Sequence, residues 1–402
     1  MDLTSYLVDG VRSPIGSFGG VLRDMRADDL AAHSLRALLD RHPSLDPSAI
    51  GDVILGCANQ AGEDNRNIAR MATLLAGYPP SVPGETVNRL CASGLSAVHQ
   101  ASRAISHGDG HVFVAGGVEH MTRAPYVMSK SGRPYGTDSA LYDSSFGWRF
   151  VNPAMAGSYG VEAMGETAEN LVDQYGIRRE DQDAFALWSQ QKTAKAQEAG
   201  RLSEEIAPIT IPQRKGSPVV VAHDEFPKPH TSLEGLAALR PAFRNPGTVT
   251  AGNASGLNDG SAALLIASQE GLKTHGLNPL ARIVSGGVAG VEPRIMGIGP
   301  VPASEIALAK AGLQLDDIDV IELNEAFAAQ SLACTRAMGL DDRDERINPN
   351  GGAISLGHPL GMTGARIALA AARELHRRNG RYALVTMCIG VGQGYALILE
   401  RA

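Results

Sequence analysis

Short apolar runs alternate along this chain with longer stretches rich in alanine and charge. GDVIL at 51–55, HVFVAGGVEH at 111–120, IDVIE at 318–322 and RYALVTMCIG at 381–390 predict strands. LSAVHQASRAISHG at 95–108 and MTGARIALAAARELHRRNG at 362–380 predict helices, each ended by glycine. Two more helices are predicted over 165–176 and 179–200, the second opened by acidic residues and closed by Gly200. A loop of small residues, TAGNASGLNDGSAALLI at 250–266, leads into another apolar strand.

The pattern occurs twice. The DVI triplets at 52 and 319 stand 267 residues apart, and the same offset carries CASG at 91–94 onto HPLG at 358–361. Each tetrapeptide precedes an alanine-rich helix, a glycine turn and an apolar strand. A repeated strand–loop–helix–strand order predicts an α/β protein of two similar layered halves about a pseudo-twofold axis. Equivalent loops then face one centre, which brings Cys91, His358 and Cys388 towards each other. Residues 121–245 break the symmetry with Gly/Ser/Pro/Tyr-rich loops and the two extra helices. The expected division is an N-terminal domain over 1–120 plus 246–272, an inserted loop domain over 121–245, and a C-terminal domain over 278–402.

Composition narrows the function classes. The 402 residues carry a net charge of −7, so a general nucleic-acid or anionic-membrane binder is not expected. The start, MDLTSYLVDGVRSP, lacks the basic region and apolar core of a secretory signal, and no membrane-spanning run occurs. The 4 cysteines are far apart with no C-x-x-C, which speaks against a zinc site or a disulfide framework. Reduced thiols in a cytoplasmic protein are the expectation, each a small buried hydrophobe or a nucleophile.

Candidate chemistry sits in four motifs, and each has an ordinary structural alternative. NRLCASG at 88–94 puts Cys91 at a helix start, where free N–H groups favour a thiolate; a buried cysteine at a tight turn would look the same. His358 in GGAISLGHPLGMTG also precedes a helix, and Asn324 in NEAF follows an apolar strand. TMCIGVGQG at 386–394 sets Cys388 before alternating glycines that let a ligand approach the backbone. GVGQG is not a dinucleotide fingerprint, because neither a helix of useful length nor an acid about twenty residues on follows it.

Together, NRLCASG, NEAF, GGAISLGHPLGMTGAR and MCIGVGQG resemble the thiolase family in order and spacing over essentially the whole chain. LGCANQAGEDNRN at 55–67, GWRFVNP at 147–153 and MGIGPVPA at 296–303 are closest to its 3-oxoadipyl-CoA branch, which ends aromatic-acid catabolism. The resemblance implies a thiolase-like α/β/α/β/α fold and an acyltransferase. Its nucleophile would be Cys91, its base His358 and its acid Cys388. The N–H groups of Gly390 and Cys91 would form one oxyanion hole, and His358 with a water held by Asn324 a second. Ser255 and Ala254 would line the pantetheine of coenzyme A, Met164 and Phe327 the thioester, and Lys228 and Phe243 the nucleotide groove. Coenzyme A is implied as substrate, with no permanent cofactor or metal and a homodimer or homotetramer as the assembly. Arg149 is the candidate cation for a distal carboxylate; a structural salt bridge is its alternative.

Three features bear on the substrate. Ala163 stands where acetoacetyl-CoA-type thiolases usually have histidine, while His120 and Gly165 replace the branch's usual serine and proline. Other 3-oxoacyl chains, including medium-chain, aromatic-derived and steroid-derived ones, remain alternatives. A decarboxylating synthase would not want Cys388, and a non-catalytic thiolase-like protein would be expected to lose Cys91 or His358.

Overall fold

The strands read as unbroken apolar runs because both of their faces are covered. In the computed structural model, which describes residues 4–213 and 215–402, ten strands form the main sheet. In chain order they are β1 (Ser5–Arg12), β2 (Gly16–Ser17), β3 (Asp52–Gly56), β4 (Gly84–Val87) and β5 (Val112–His120). The second set is β6 (Asn258–Ser268), β7 (Ala281–Gly290), β8 (Val320–Leu323), β9 (Tyr382–Ile389) and β10 (Gln393–Arg401). Their order is β8-β9-β10-β7-β1-β6-β5-β3-β4, with the short β2 beside β6.

That order is a repeat read outwards from the β1/β7 pair. Each half runs antiparallel through two pairings and then parallel: β1/β6, β6/β5 and β5/β3 on one side, β7/β10, β10/β9 and β9/β8 on the other. Ile347 bridges Ile321 in parallel at the place that β4 takes beside β3. The halves join through two register pairs, Tyr6 with Arg282 and Leu7 with Ala281.

Side-chain alternation sorts the core into layers. Along β6, Ala262, Leu264 and Ile266 turn inwards, while Ala263, Leu265 and Ala267 turn outwards. The inner residues meet two central helices, Ser93–His107 and Leu360–Arg378, together with Val385, Met387, Leu397 and Leu399 from the other half. The outer faces are covered by Ala27–Arg41 and Ile68–Leu75 on one side. On the other they are covered by Pro300–Ala311 and Ala328–Ala337. Each fully buried Leu or Ile in these layers contributes about 1.5–3 kcal/mol.

The two central helices approach closely enough to require glycine. A methyl group on Gly94 would lie 2.5 Å from the carbonyl oxygen of Gly361, and one on Gly117 would collide with the same oxygen. This contact fixes the helix starts that carry Cys91 and His358.

Residues 121–245 hold a hairpin of Tyr126–Met128 and Leu141–Asp143, and a second of Ile209–Ile211 and Val219–Val221. Between them run the helices Pro153–Tyr159, Met164–Tyr175 and Arg179–Glu198, with Leu233–Ala237 after the second hairpin. Gly176 and Gly200 follow their helices with φ of 61° and 72°, a left-handed conformation that glycine adopts without strain. Among the described residues no helix is long and apolar enough to cross a membrane.

Candidate active site

Cys91 stands on a strained turn. Leu90 has φ of 48°, costly for a residue with a side chain, and the turn is tied by Ser93. Ser93 Oγ accepts the Arg89 N–H at 2.8 Å and donates to the Leu90 carbonyl at 2.7 Å. A second strained turn, with Val391 at φ 64° and Gly392 at 83°, joins β9 to β10 and presents Gly390. A methyl group on Gly390 would lie 3.4 Å from Leu90 Cδ1, so the two turns meet, and the backbone N–H groups of Gly390 and Cys91 favour the Cys91 thiolate. Two segments distant in sequence thus meet beside Cys91.

Burial outweighs those donors and pushes the half-buried Cys91 thiol up to about 11. Burial also holds Cys388 well above the usual thiol range, with the charge of Cys91 the next cause. His358 is buried too, and desolvation followed by the charge of Arg366 lowers its imidazole to about 3. Its protonation is directed locally. Thr363 Oγ1 donates to the Pro359 carbonyl at 2.8 Å and therefore accepts from His358 Nδ1–H at 2.8 Å. Nε2 is left as an acceptor, 3.3 Å from the Asn324 amide nitrogen. The His358 backbone N–H donates to Asn258 Oδ1 at 2.9 Å, which fixes the loop.

A thiol raised this far has a kinetic consequence. Alkylation of Cys91 by iodoacetamide should quicken by roughly tenfold per pH unit between about pH 7 and 9, because the thiolate fraction is still rising there. Rates measured across that range check it; a plateau near pH 7 would mean a preformed thiolate–imidazolium pair.

An apolar wall closes one side. Cys388 packs in one cluster with Phe327, Ala254, Ala168, Val249 and Met296, bordered by Met164 and Phe243. The Phe243 and Phe327 rings meet edge-to-face at 6.2 Å. Ser255 N–H donates to the Ala326 carbonyl at 3.0 Å, and Ala254 bridges Phe327.

Residues 5–270 match the family described as Thiolase, N-terminal domain, and residues 277–401 match Thiolase, C-terminal domain. The chain belongs to the thiolase family. It is 60% identical over 99% of both chains to the 3-oxoadipyl-CoA/3-oxo-5,6-dehydrosuberyl-CoA thiolase of Escherichia coli (strain K12). It is 56% identical, again over 99% of both, to a beta-ketoadipyl-CoA thiolase of Acinetobacter baylyi. The crystal structure of the Bacillus anthracis acetyl-CoA acetyltransferase superposes with a TM-score of 0.92 at 44% identity, covering 99% of each chain. Human mitochondrial 3-ketoacyl-CoA thiolase gives 0.92 at 42%, covering 100% of each.

In this thiolase the expected residues fall into two groups. His358 and Asn324 are hydrogen-bonded to each other, Cys91 and Gly390 stand on turns that meet at Leu90, and Met164, Phe243, Ala254, Ser255 and Phe327 belong to the wall beside Cys388. Lys228 is exposed, with its ammonium 4.5 Å from the Phe226 ring, and no contact among the described residues ties it to the first group. Arg149 likewise stands apart. It donates to the Ser144 carbonyl at 3.4 Å and makes no salt bridge among the described residues, so the ion-pair alternative is not what the structure holds.

Of the two substitutions noted in the sequence, Gly165 faces the wall: a methyl group there would collide with the Phe243 ring. His120 is held away from it, 3.1 Å from the Leu22 carbonyl and 3.3 Å from Asp259. Cys57 and Cys334 are fully buried packing residues. Cys57, Asp64 and Glu119 bring ligand-type atoms within 4.8 Å of one another, but Glu119 already accepts the N–H groups of Ala58, Asn59 and Gly361. Sequence reasoning missed Thr363 and Asn258, which orient His358; the hydroxyl five residues after the histidine, at a helix start, is the signal that could have found the first.

Proposed function

We propose that this thiolase cleaves 3-oxoadipyl-CoA with coenzyme A to succinyl-CoA and acetyl-CoA. The observation that carries the substrate is full-length identity of 56–60% with relatives named for that thioester. The backbone N–H groups of Gly390 and Cys91, which favour the Cys91 thiolate, support the chemistry.

Cys91 loses its proton to His358 Nε2 and attacks the 3-oxo carbon. The N–H groups of Cys91 and Gly390 receive the developing oxyanion, each worth about 3–4 kcal/mol of transition-state stabilisation. The C2–C3 bond breaks, leaving succinyl on Cys91 and the enolate of acetyl-CoA. His358, now protonated, and a water held by Asn324 stabilise the enolate oxygen, and the Cys388 thiol protonates its carbon. In the second half, Cys388 takes the proton of the incoming CoA thiol. The CoA thiolate attacks the succinyl thioester, and Cys91 leaves and regains its proton through His358.

Ser255 and Ala254 line the pantetheine, Met164 and Phe327 the thioester, and Lys228 and Phe243 the nucleotide end. Arg149, a cation without an acidic partner among the described residues, receives the distal carboxylate. The domain boundaries drawn from the sequence, a homodimer or homotetramer, coenzyme A as substrate without a permanent cofactor, and a cytoplasmic location belong to the same proposal.

The test is kcat/KM for 3-oxoadipyl-CoA beside acetoacetyl-CoA and a longer unbranched 3-oxoacyl-CoA. The dicarboxylate should win by tenfold or more, about 1.4 kcal/mol, and Arg149→Ala should remove most of that margin. Preference for an uncharged tail would overturn the substrate, and an unchanged margin in the variant would overturn the role of Arg149.

A further inference from the structure

Arg89 has a place in the fold that the proposed reaction leaves unexplained. It precedes the strained Leu90, and its Nη1 reaches across to the other half of the molecule, donating to Gln393 Oε1 at 3.1 Å. Gln393 opens β10, two residues beyond the strained Val391. One side-chain bond therefore spans the two turns that carry the N–H groups of Cys91 and Gly390.

The bond has its own support. The Arg89 guanidinium lies 5.5 Å from the centroid of the Tyr395 ring. Tyr395 is buried, its hydroxyl 2.9 Å from Nδ1 of His99, and the His99 ring meets it edge-on at 5.9 Å. His99 belongs to the same helix that begins two residues after Cys91. Arg89, Gln393, Tyr395 and His99 thus close a loop of contacts around both turns. Arg89 has no salt bridge among the described residues, and its Nε is buried without a hydrogen-bond partner. A guanidinium without a carboxylate is a poor stabiliser of the fold. Left-handed conformations at Leu90 and Val391 persist only where surrounding contacts over-determine them.

We propose that Arg89 is a positioning residue that, through Gln393, sets the spacing of the two turns that present the N–H groups of Cys91 and Gly390. The inference rests on the reading of those donors as the oxyanion hole, and its test separates the two.

The experiment compares Arg89→Met, Gln393→Met and the double variant with the wild-type enzyme. Formation of the acyl–Cys91 adduct from 3-oxoadipyl-CoA, or from acetoacetyl-CoA, is followed by mass in a single turnover. Iodoacetamide alkylation, which develops no oxyanion, is measured in parallel. Each single variant should acylate about 10- to 100-fold more slowly, with alkylation within about threefold of wild type. The double variant should be no worse than about threefold below the poorer single, because both remove the same bond. Arg89→Lys, which keeps a donor, should recover part of the loss, and it covers the case in which a methionine variant fails to fold. Unchanged acylation, acylation and alkylation falling together, or additive losses would overturn the role of Arg89. Failure of the wild type to form any adduct would instead overturn the reading of Cys91 as the acylated nucleophile, on which the oxyanion hole depends.

Discussion

Cys91→Ser should lower kcat/KM for thiolysis by roughly 10⁴-fold or more, while coenzyme A binding and the fold persist. The argument follows from the proton inventory of the site. Burial already holds the Cys91 thiol at about 11 despite two N–H donors, and an alcohol in the same place is far less acidic. The base available to it is weak, since desolvation and Arg366 keep His358 at about 3. A thiol, polarisable and intrinsically nucleophilic, is activated by such a base during attack far more readily than a serine hydroxyl. The variant also removes the leaving group that makes the second half-reaction favourable, because a succinyl ester is a poorer acyl donor than a thioester. Steady-state rates together with adduct mass check this. Activity within tenfold of wild type, or an adduct on another residue, would remove Cys91 from the role of nucleophile.

Much of this site was legible before the structure because duplication left the same signal twice. The offset linking CASG to HPLG marks two central helices whose starts lie together through Gly94 and Gly361. Apolar runs at 111–120 and 381–390 predict strands and occupy equivalent places in the two halves of the sheet. What the pattern could not supply was orientation. Periodicity does not say that Thr363 will fix the histidine tautomer, nor that Leu90 and Val391 will adopt left-handed turns, since neither residue type advertises that conformation. Nor could it distinguish a substrate cation from an ion-paired one at Arg149, because the sequence does not show where the acids of the insertion end up. The placement of Lys228 suffers from the same long insertion, whose loops break the spacing on which the family resemblance depends.

The same insertion is anchored by a group whose loss should unfold more than it exposes. Arg12, on β1 and fully buried, donates to Glu205 at 2.7 Å and to both oxygens of Asp224 at 2.6 and 2.8 Å. Asp224 also accepts the Ile15 N–H at 2.8 Å, so residues 205 and 224 are tied to the central strand by one side chain. Arg12→Met would leave two buried carboxylates without their cation, an arrangement that costs about 3–5 kcal/mol of folding free energy. Urea unfolding should register that loss. The triple variant Arg12→Met, Glu205→Gln and Asp224→Asn should be the more stable of the two, because it removes the stranded charges along with the cation. Equal stability of the two variants would show that lost packing, not uncompensated charge, carries the effect. At the site, the residues most exposed to a loosened insertion are Met164 and Phe243, which border the apolar wall beside Cys388. Any folded fraction of Arg12→Met should therefore show a raised KM with kcat less affected, since the wall contributes to binding while Cys91, His358 and Cys388 are held by the layered core.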